Sequence, residues 1–221
     1  MSFNKRITVF AGHYGSGKTN IAVNAALLVA ATGRRTAIAD LDIVNPYFRT
    51  EDSREELENA GIRMICSGYA NSNVDLPSMP EDLYVITEDK ELNVIIDLGG
   101  DDRGALALGR LSAAIKEENN YEMLMVMNQK RPLTKTVEDT ISVMREIEAA
   151  GRIPFTGLVN NTNLGIDTTE ETVLRSMEYA EAVSKESGLP VVFTSVEDKL
   201  YESLSNKMNG LFPMRLQKRP V

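Results

Sequence analysis

Gly12-His13-Tyr14-Gly15-Ser16-Gly17-Lys18-Thr19 is the stretch whose reading decides the fold. It fits G-x-x-x-x-G-K-[ST], the spacing of a phosphate-binding loop. Gly12, Gly15 and Gly17 permit backbone conformations and close approaches that a Cβ would block, so successive N–H groups can converge on phosphate oxygens. Lys18 is placed to reach the β- and γ-phosphates, and the Thr19 hydroxyl to hold Mg²⁺. A helix starting at Lys18 adds the positive end of its dipole. On either side, Ile7-Thr8-Val9-Phe10-Ala11 reads as a buried strand, and Ile21 to Ala31 as a helix apolar on nearly every side that ends at Gly33. Strand, glycine loop and buried helix follow in the order a nucleotide site requires.

Further along, apolar strand-like runs keep alternating with helical patterns, which means βαβ units and a mostly parallel sheet. Strands are expected at Thr36–Asp40, Ile62–Cys66, Asn93–Asp97, Met123–Met127, Phe155–Val159 and Val191–Thr194. Helices are expected at Ser53–Ala60, Ala105–Glu118, along the stripe Val137, Ile141, Met144, Ile147 up to Gly151, after a capping box of Thr168 with Glu171, and at Glu197–Asn206. Residues 67–80, rich in Asn, Ser, Pro and Gly, read as a long loop, a mobile or partner-facing surface. The methionines alternating along Met123–Met127 read as core filling. The fold class is α/β: a three-layer α/β/α P-loop NTPase with a doubly wound sheet, in one domain over residues 1–221, with ligands at the carboxyl ends of the strands.

Bulk composition narrows the function. The 221 residues are 43% hydrophobic, enough for one sizeable core. A net charge of −8, from 24 Lys+Arg against 32 Asp+Glu, argues against nucleic-acid binding. Of the basic residues, Arg215, Lys218 and Arg219 are the concentrated group, and they read as a solvated, frayed terminus. The segment Leu211–Leu216 is too short and Pro-broken for a membrane helix. The lone Cys66 can form no internal disulfide and reads as a buried apolar residue, so the expected location is cytoplasmic.

The remaining chemical positions all fall just after strands. Asp97 closes an apolar strand in the place of a carboxylate that holds Mg²⁺ through water; a strand-end Asp that caps the next helix is the alternative. Gly100 would present a backbone N–H to the γ-phosphate. Asp40 and Asp42 flank the end of the second strand, where a carboxylate could orient an attacking water; a solvated Asp- and Asn-rich turn is the alternative. Asn160 and Asn161 suit recognition of a base edge, because an amide offers donor and acceptor together; an Asn-rich turn is the alternative. The run Asn160-Asn161-Thr162-Asn163 has no carboxylate to accept from guanine, which favours adenine. His13, the single histidine, either donates to phosphate, senses pH or occupies a tolerated exposed position.

Taken together these residues resemble the MinD/ParA family of deviant Walker ATPases (the SIMIBI class), to which the nitrogenase iron protein and the arsenite-pump ATPase also belong. Gly12 to Thr19 matches the family's G-K-G-G-x-G-K-T, and Thr36-Ala37-Ile38-Ala39-Asp40-Leu41-Asp42 resembles its strand ending in D-x-D. Asp97-Leu98-Gly99-Gly100-Asp101 looks like the D-x-x-G-D switch of the iron protein. Leu158-Val159-Asn160 sits where the family's adenine-contacting Asn does, and Phe193 to Leu200 where a second base-contacting segment follows the last strand. The resemblance implies ATP/ADP and Mg²⁺ as ligands. It also implies phosphate contacts from Gly15, Ser16, Gly17, Lys18, Thr19 and Asn20, a water-orienting Asp42, and Asp40 in the outer magnesium shell.

Two departures stand out. The family's signature Lys, second in the loop, is replaced by His13, so a nucleotide-dependent homodimer would need another cation such as Arg103. The paired cluster cysteines of the iron protein are missing, so no iron–sulfur cluster is expected. The expected function is a slow, Mg²⁺-dependent ATPase that switches affinity for a protein partner. The alternatives are a metabolic P-loop enzyme, such as a dethiobiotin-synthetase-like ligase or a kinase, and a module that holds ATP without turnover.

Overall fold

The computed structural model describes residues 2–41, 53–66, 81–99 and 102–217. Its strands are β1 (Ile7–Ala11), β2 (Thr36–Leu41), β3 (Arg63–Cys66), β4 (Asn93–Leu98), β5 (Tyr121–Met127), β6 (Gly157–Asn160), β7 (Val191–Glu197) and β8 (Leu211–Met214). The helices are α1 (Lys18–Ala31), α2 (Arg54–Asn59), α3 (Glu81–Glu88), α4 (Asp102–Glu118), α5 (Val137–Gly151), α6 (Glu170–Ser187) and α7 (Asp198–Ser205). The strands form one sheet in the order β3-β2-β4-β1-β5-β6-β7-β8, and every pairing is parallel.

Near-continuous apolar runs in β1 and β2 leave all their residues buried, as a parallel sheet covered on both faces demands. Alternate strand residues supply two cores. Ile7, Val9, Ala11, Met123, Met125 and Met127 face α3, α4, α5 and α6, so the alternating methionines do fill core. Phe10, Ile38, Ile95, Leu124 and Val126 face α1 and α2. On that second face Phe3 meets Phe10, Phe193 and Phe212 edge-to-face at centroid distances of 5.9, 6.1 and 5.8 Å, pinning the N-terminal residues across the sheet.

At the opposite end of the sheet from the glycine loop, buried Arg6 gathers helix and loop ends together. Its guanidinium donates to the carbonyls of Ile86 (3.0 Å), Asp89 (3.2 Å) and Leu92 (3.0 Å) and pairs with Glu118 at the end of α4. A planar fork with five donors suits such a junction better than a lysine would.

Several expectations need correcting. Helix α3 and strand β8 were not expected. The amphipathic run of α3 is only eight residues, and β8 contains Pro213, which is tolerated because β8 lies at the sheet edge. The segment 215–217 is not a frayed end: the N–H of Arg215 donates to Asn24 Oδ1 and that of Gln217 to Asn20 Oδ1. The cap of α6 is Thr169, whose hydroxyl accepts from Thr172 N–H, because the Thr168 hydroxyl is committed to the Leu164–Gly165 turn. Helix α5 runs to Gly151 as expected, and Arg152 follows it in the left-handed conformation. Among the described residues no helix is long and apolar enough to cross a membrane.

Candidate nucleotide site

The loop between β1 and α1 opens where the strand order turns outward on both sides of β1, at the carboxyl edge of the sheet. Gly12, at φ +152°, sits against the neighbouring strand, and a Cβ there would come closer than 3.0 Å to the Val126 carbonyl oxygen. Gly17, at φ +91°, is the left-handed residue from which α1 starts, without a side-chain cap and with no acidic residue in the first turn. The N–H groups of that first turn are the ones a phosphate would take. Lys18 is buried and its ammonium donates to the His13 carbonyl at 3.3 Å, so it is folded back over its own loop. The Ser16 hydroxyl is buried with no hydrogen-bond partner among the described residues, a polar group a ligand would satisfy. His13 is partly exposed, its Nδ1 lying 3.1 Å from the Tyr14 carbonyl.

Asp40 on β2 and Asp97 on β4 are direct cross-strand partners, and both are buried. Each precedes the last residue of its strand, since β2 and β4 run on to Leu41 and Leu98. In register on adjacent parallel strands, the two carboxylates leave the same face of the sheet. Two carboxylates so placed favour a cation nearby. Together with the Thr19 hydroxyl at the start of α1, these are oxygen donors of the kind that Mg²⁺ takes while keeping several waters. The residues therefore fit the ion. Among the described residues no cluster of three or more His, Cys, Asp or Glu side chains could hold a metal by itself.

Asn160 ends β6, Asn161 follows it, and both are buried. The Asn160 amide donates to Ser176 Oγ at 2.8 Å, and its Oδ1 accepts from the Thr162 N–H at 3.2 Å. Asn161 turns to the glycine loop, its Nδ2 donating to the Ser16 carbonyl at 2.6 Å. Asn20 Oδ1 accepts from Gln217 N–H. Asp42, Gly100, the loop 67–80, Lys218 and Arg219, together with the side chains of Cys66 and Arg103, lie outside the described residues.

The structure adds residues that sequence reasoning passed over. Arg131, four residues beyond β5, is exposed and its Nε donates to the Gly15 carbonyl at 2.8 Å, laying a cation on the glycine loop. Its turn is held by Thr134, whose hydroxyl donates to the Asn128 carbonyl at 2.7 Å. Ser195 on β7 donates to Asn161 Oδ1 at 2.6 Å. The pointer to Arg131 was its place: Asn128-Gln129-Lys130-Arg131 follows the strand that pairs with β1.

The fold is that of several solved structures. The FtsY cell division protein of Thermotoga maritima superposes with a TM-score of 0.55 at 17% identity, over 86% of this chain and 61% of that one. FtsY of Mycoplasma mycoides gives 0.54 at 15% identity, over 88% and 62%. The signal recognition particle 54 kDa protein of Aeropyrum pernix, solved in complex with GDP, gives 0.54 at 17% identity, over 87% and 41%. The chain thus spans about two-fifths to three-fifths of the length of these proteins. No curated protein matches it. The CobQ/CobB/MinD/ParA nucleotide binding domain matches residues 7–191, and the chain belongs to that family.

Proposed function

We propose that this protein is a Mg²⁺-dependent ATP-binding protein and slow ATPase whose nucleotide state controls its affinity for a protein partner. The observation that carries the reading is the buried, in-register pair Asp40 and Asp97 beside a glycine loop whose helix begins at Lys18 and Thr19. Backbone N–H groups from Gly15 to Asn20, with Lys18, would bind the phosphates. Thr19 would touch Mg²⁺ directly, with Asp40 and Asp97 acting through its waters. The ion, when bound, supplies charge neutralisation at the β- and γ-phosphates. Asp42 would orient the attacking water, and Gly100 would donate to the γ-phosphate. Adenine is favoured because the run 160–163 carries no carboxylate. With His13 in place of the signature lysine, Arg131, bonded to the Gly15 carbonyl, would supply the missing positive charge within the same chain, and a nucleotide-dependent homodimer would then not need a lysine from a second copy.

The test is calorimetric titration of Mg-ATP into wild type and Lys18→Ala, with steady-state phosphate release measured alongside. Loss of Lys18 removes charge-assisted hydrogen bonds worth on the order of 1.5–3 kcal/mol each, so affinity should fall at least tenfold. Equal affinity in the two proteins would remove the loop from the nucleotide site, and tight binding without phosphate release would leave an ATP-holding module.

A further inference from the structure

Asn161 is buried against the glycine loop. Its backbone N–H donates to the Met127 carbonyl at 2.8 Å, which ties it to β5. Its Nδ2 donates to the Ser16 carbonyl, and the Ser195 hydroxyl donates to its Oδ1, both at 2.6 Å. The amide orientation is forced, since a carbonyl can only accept and the nitrogen must therefore face Ser16. The fit is close, because a Cβ at Gly17 would run into the Asn161 amide nitrogen.

We infer that Asn161, held by Ser195, is a positioning residue for the phosphate loop, fixing the Ser16–Gly17 peptide in the orientation that receives a polyphosphate. The inference rests on reading Gly12–Thr19 as a phosphate loop. In a planar trans peptide the C=O and N–H point in opposite directions, and the described residues contain no cis bond. Holding the Ser16 carbonyl toward Asn161 therefore turns the Gly17 N–H the other way, to the side where the phosphate-loop reading puts the anion. A flipped peptide would set a carbonyl oxygen against the anion. The Asn161 bond opposes the flip, because flipping would strand a buried donor. A base reader would act on the purine; this amide acts on the triphosphate, whatever base it carries.

The experiment titrates inorganic tripolyphosphate, ATP and GTP, each with Mg²⁺, into wild type, Asn161→Leu, Ser195→Ala and Ser195→Thr. Asn161→Leu should weaken tripolyphosphate and ATP by a common factor of about tenfold or more, as expected for one buried hydrogen bond lost with its partner stranded. GTP, to whatever extent wild type binds it, should weaken by the same factor. Ser195→Ala should follow in the same direction by a smaller factor, and Ser195→Thr, which keeps the hydroxyl, should restore wild-type binding. In ¹H–¹⁵N spectra the Gly17 amide should shift on adding tripolyphosphate to wild type and not to Asn161→Leu. Weakening confined to ATP, with tripolyphosphate unchanged, would make Asn161 a base reader and overturn the inference. Should Asn161→Leu fail to fold, unchanged tripolyphosphate affinity in Ser195→Ala refutes it equally. Wild type that binds none of the three ligands would overturn the phosphate-loop reading itself.

Discussion

Replacing Gly12 with alanine tests how the nucleotide loop is seated on the sheet. The position combines two penalties that can be separated. One is the backbone conformation, φ +152°, which an L side chain adopts at roughly 1–3 kcal/mol. The other is the meeting of the new Cβ with the Val126 carbonyl oxygen at less than 3.0 Å. That oxygen belongs to β5, which pairs with β1 from Ile7↔Tyr121 to Ala11↔Met125, so it cannot rotate away as a side chain would. Overpacking of this kind typically adds about 1–3 kcal/mol. Gly33 is the control: its φ is +81°, and a Cβ there meets nothing within 4 Å, so Gly33→Ala carries the backbone penalty alone, about 1–2 kcal/mol. At roughly 2–4 °C per kcal/mol for a chain of this size, Gly33→Ala should melt about 2–8 °C below wild type. Gly12→Ala should melt roughly 4–24 °C below it, and further below than Gly33→Ala. Any relaxation that spares stability must move the loop, and so should weaken ATP binding. Thermal and urea unfolding of both variants, with ATP titration of each, decides the matter. Gly12→Ala that is no less stable than Gly33→Ala, and binds ATP like wild type, would refute the reasoning.

Three further outcomes are expected. Asp42→Asn should bind Mg-ATP nearly as wild type but hydrolyse it about 10²-fold more slowly, whereas Asp97→Asn should weaken the dependence of binding on Mg²⁺; single-turnover hydrolysis and Mg²⁺ titrations separate them. ATP should outcompete GTP, and competition binding in which GTP matches it would end the adenine assignment. The Arg6 guanidinium on Glu118, aided by Lys90 and opposed by burial, holds the Glu118 carboxyl below its ordinary value of 4.5. A depressed folded-state value contributes stability that is present above 4.5 and is lost as pH falls through the folded value. Glu118→Gln should therefore be about 1–3 kcal/mol less stable at neutral pH by urea unfolding, with the gap from wild type closing in acid.

What the amino-acid sequence determined by itself was most of what repeats with a local period over a long enough run, or with a fixed short spacing. The glycine loop, the strand before it and the helix from Lys18 to Ala31 stand as expected, because apolar alternation and glycine placement act over a few residues. The parallel sheet followed from the same alternation of strands and helices, and so did the placing of Asp40 and Asp97 near strand ends. Tertiary structure alone decided which loops meet. That Asp40 and Asp97 stand opposite each other depends on β4 inserting between β2 and β1, a crossover no local pattern encodes. Asn160 and Asn161 look alike in sequence, yet one bonds to Ser176 on α6 and the other to Ser16, 145 positions away. An amide has donor and acceptor ready for either task, and only the packed neighbours choose. Arg131 reaches Gly15 and Ser195 reaches Asn161 for the same reason: β1, β5, β6 and β7 lie side by side, so residues just beyond or near their carboxyl ends become neighbours through the sheet rather than along the chain.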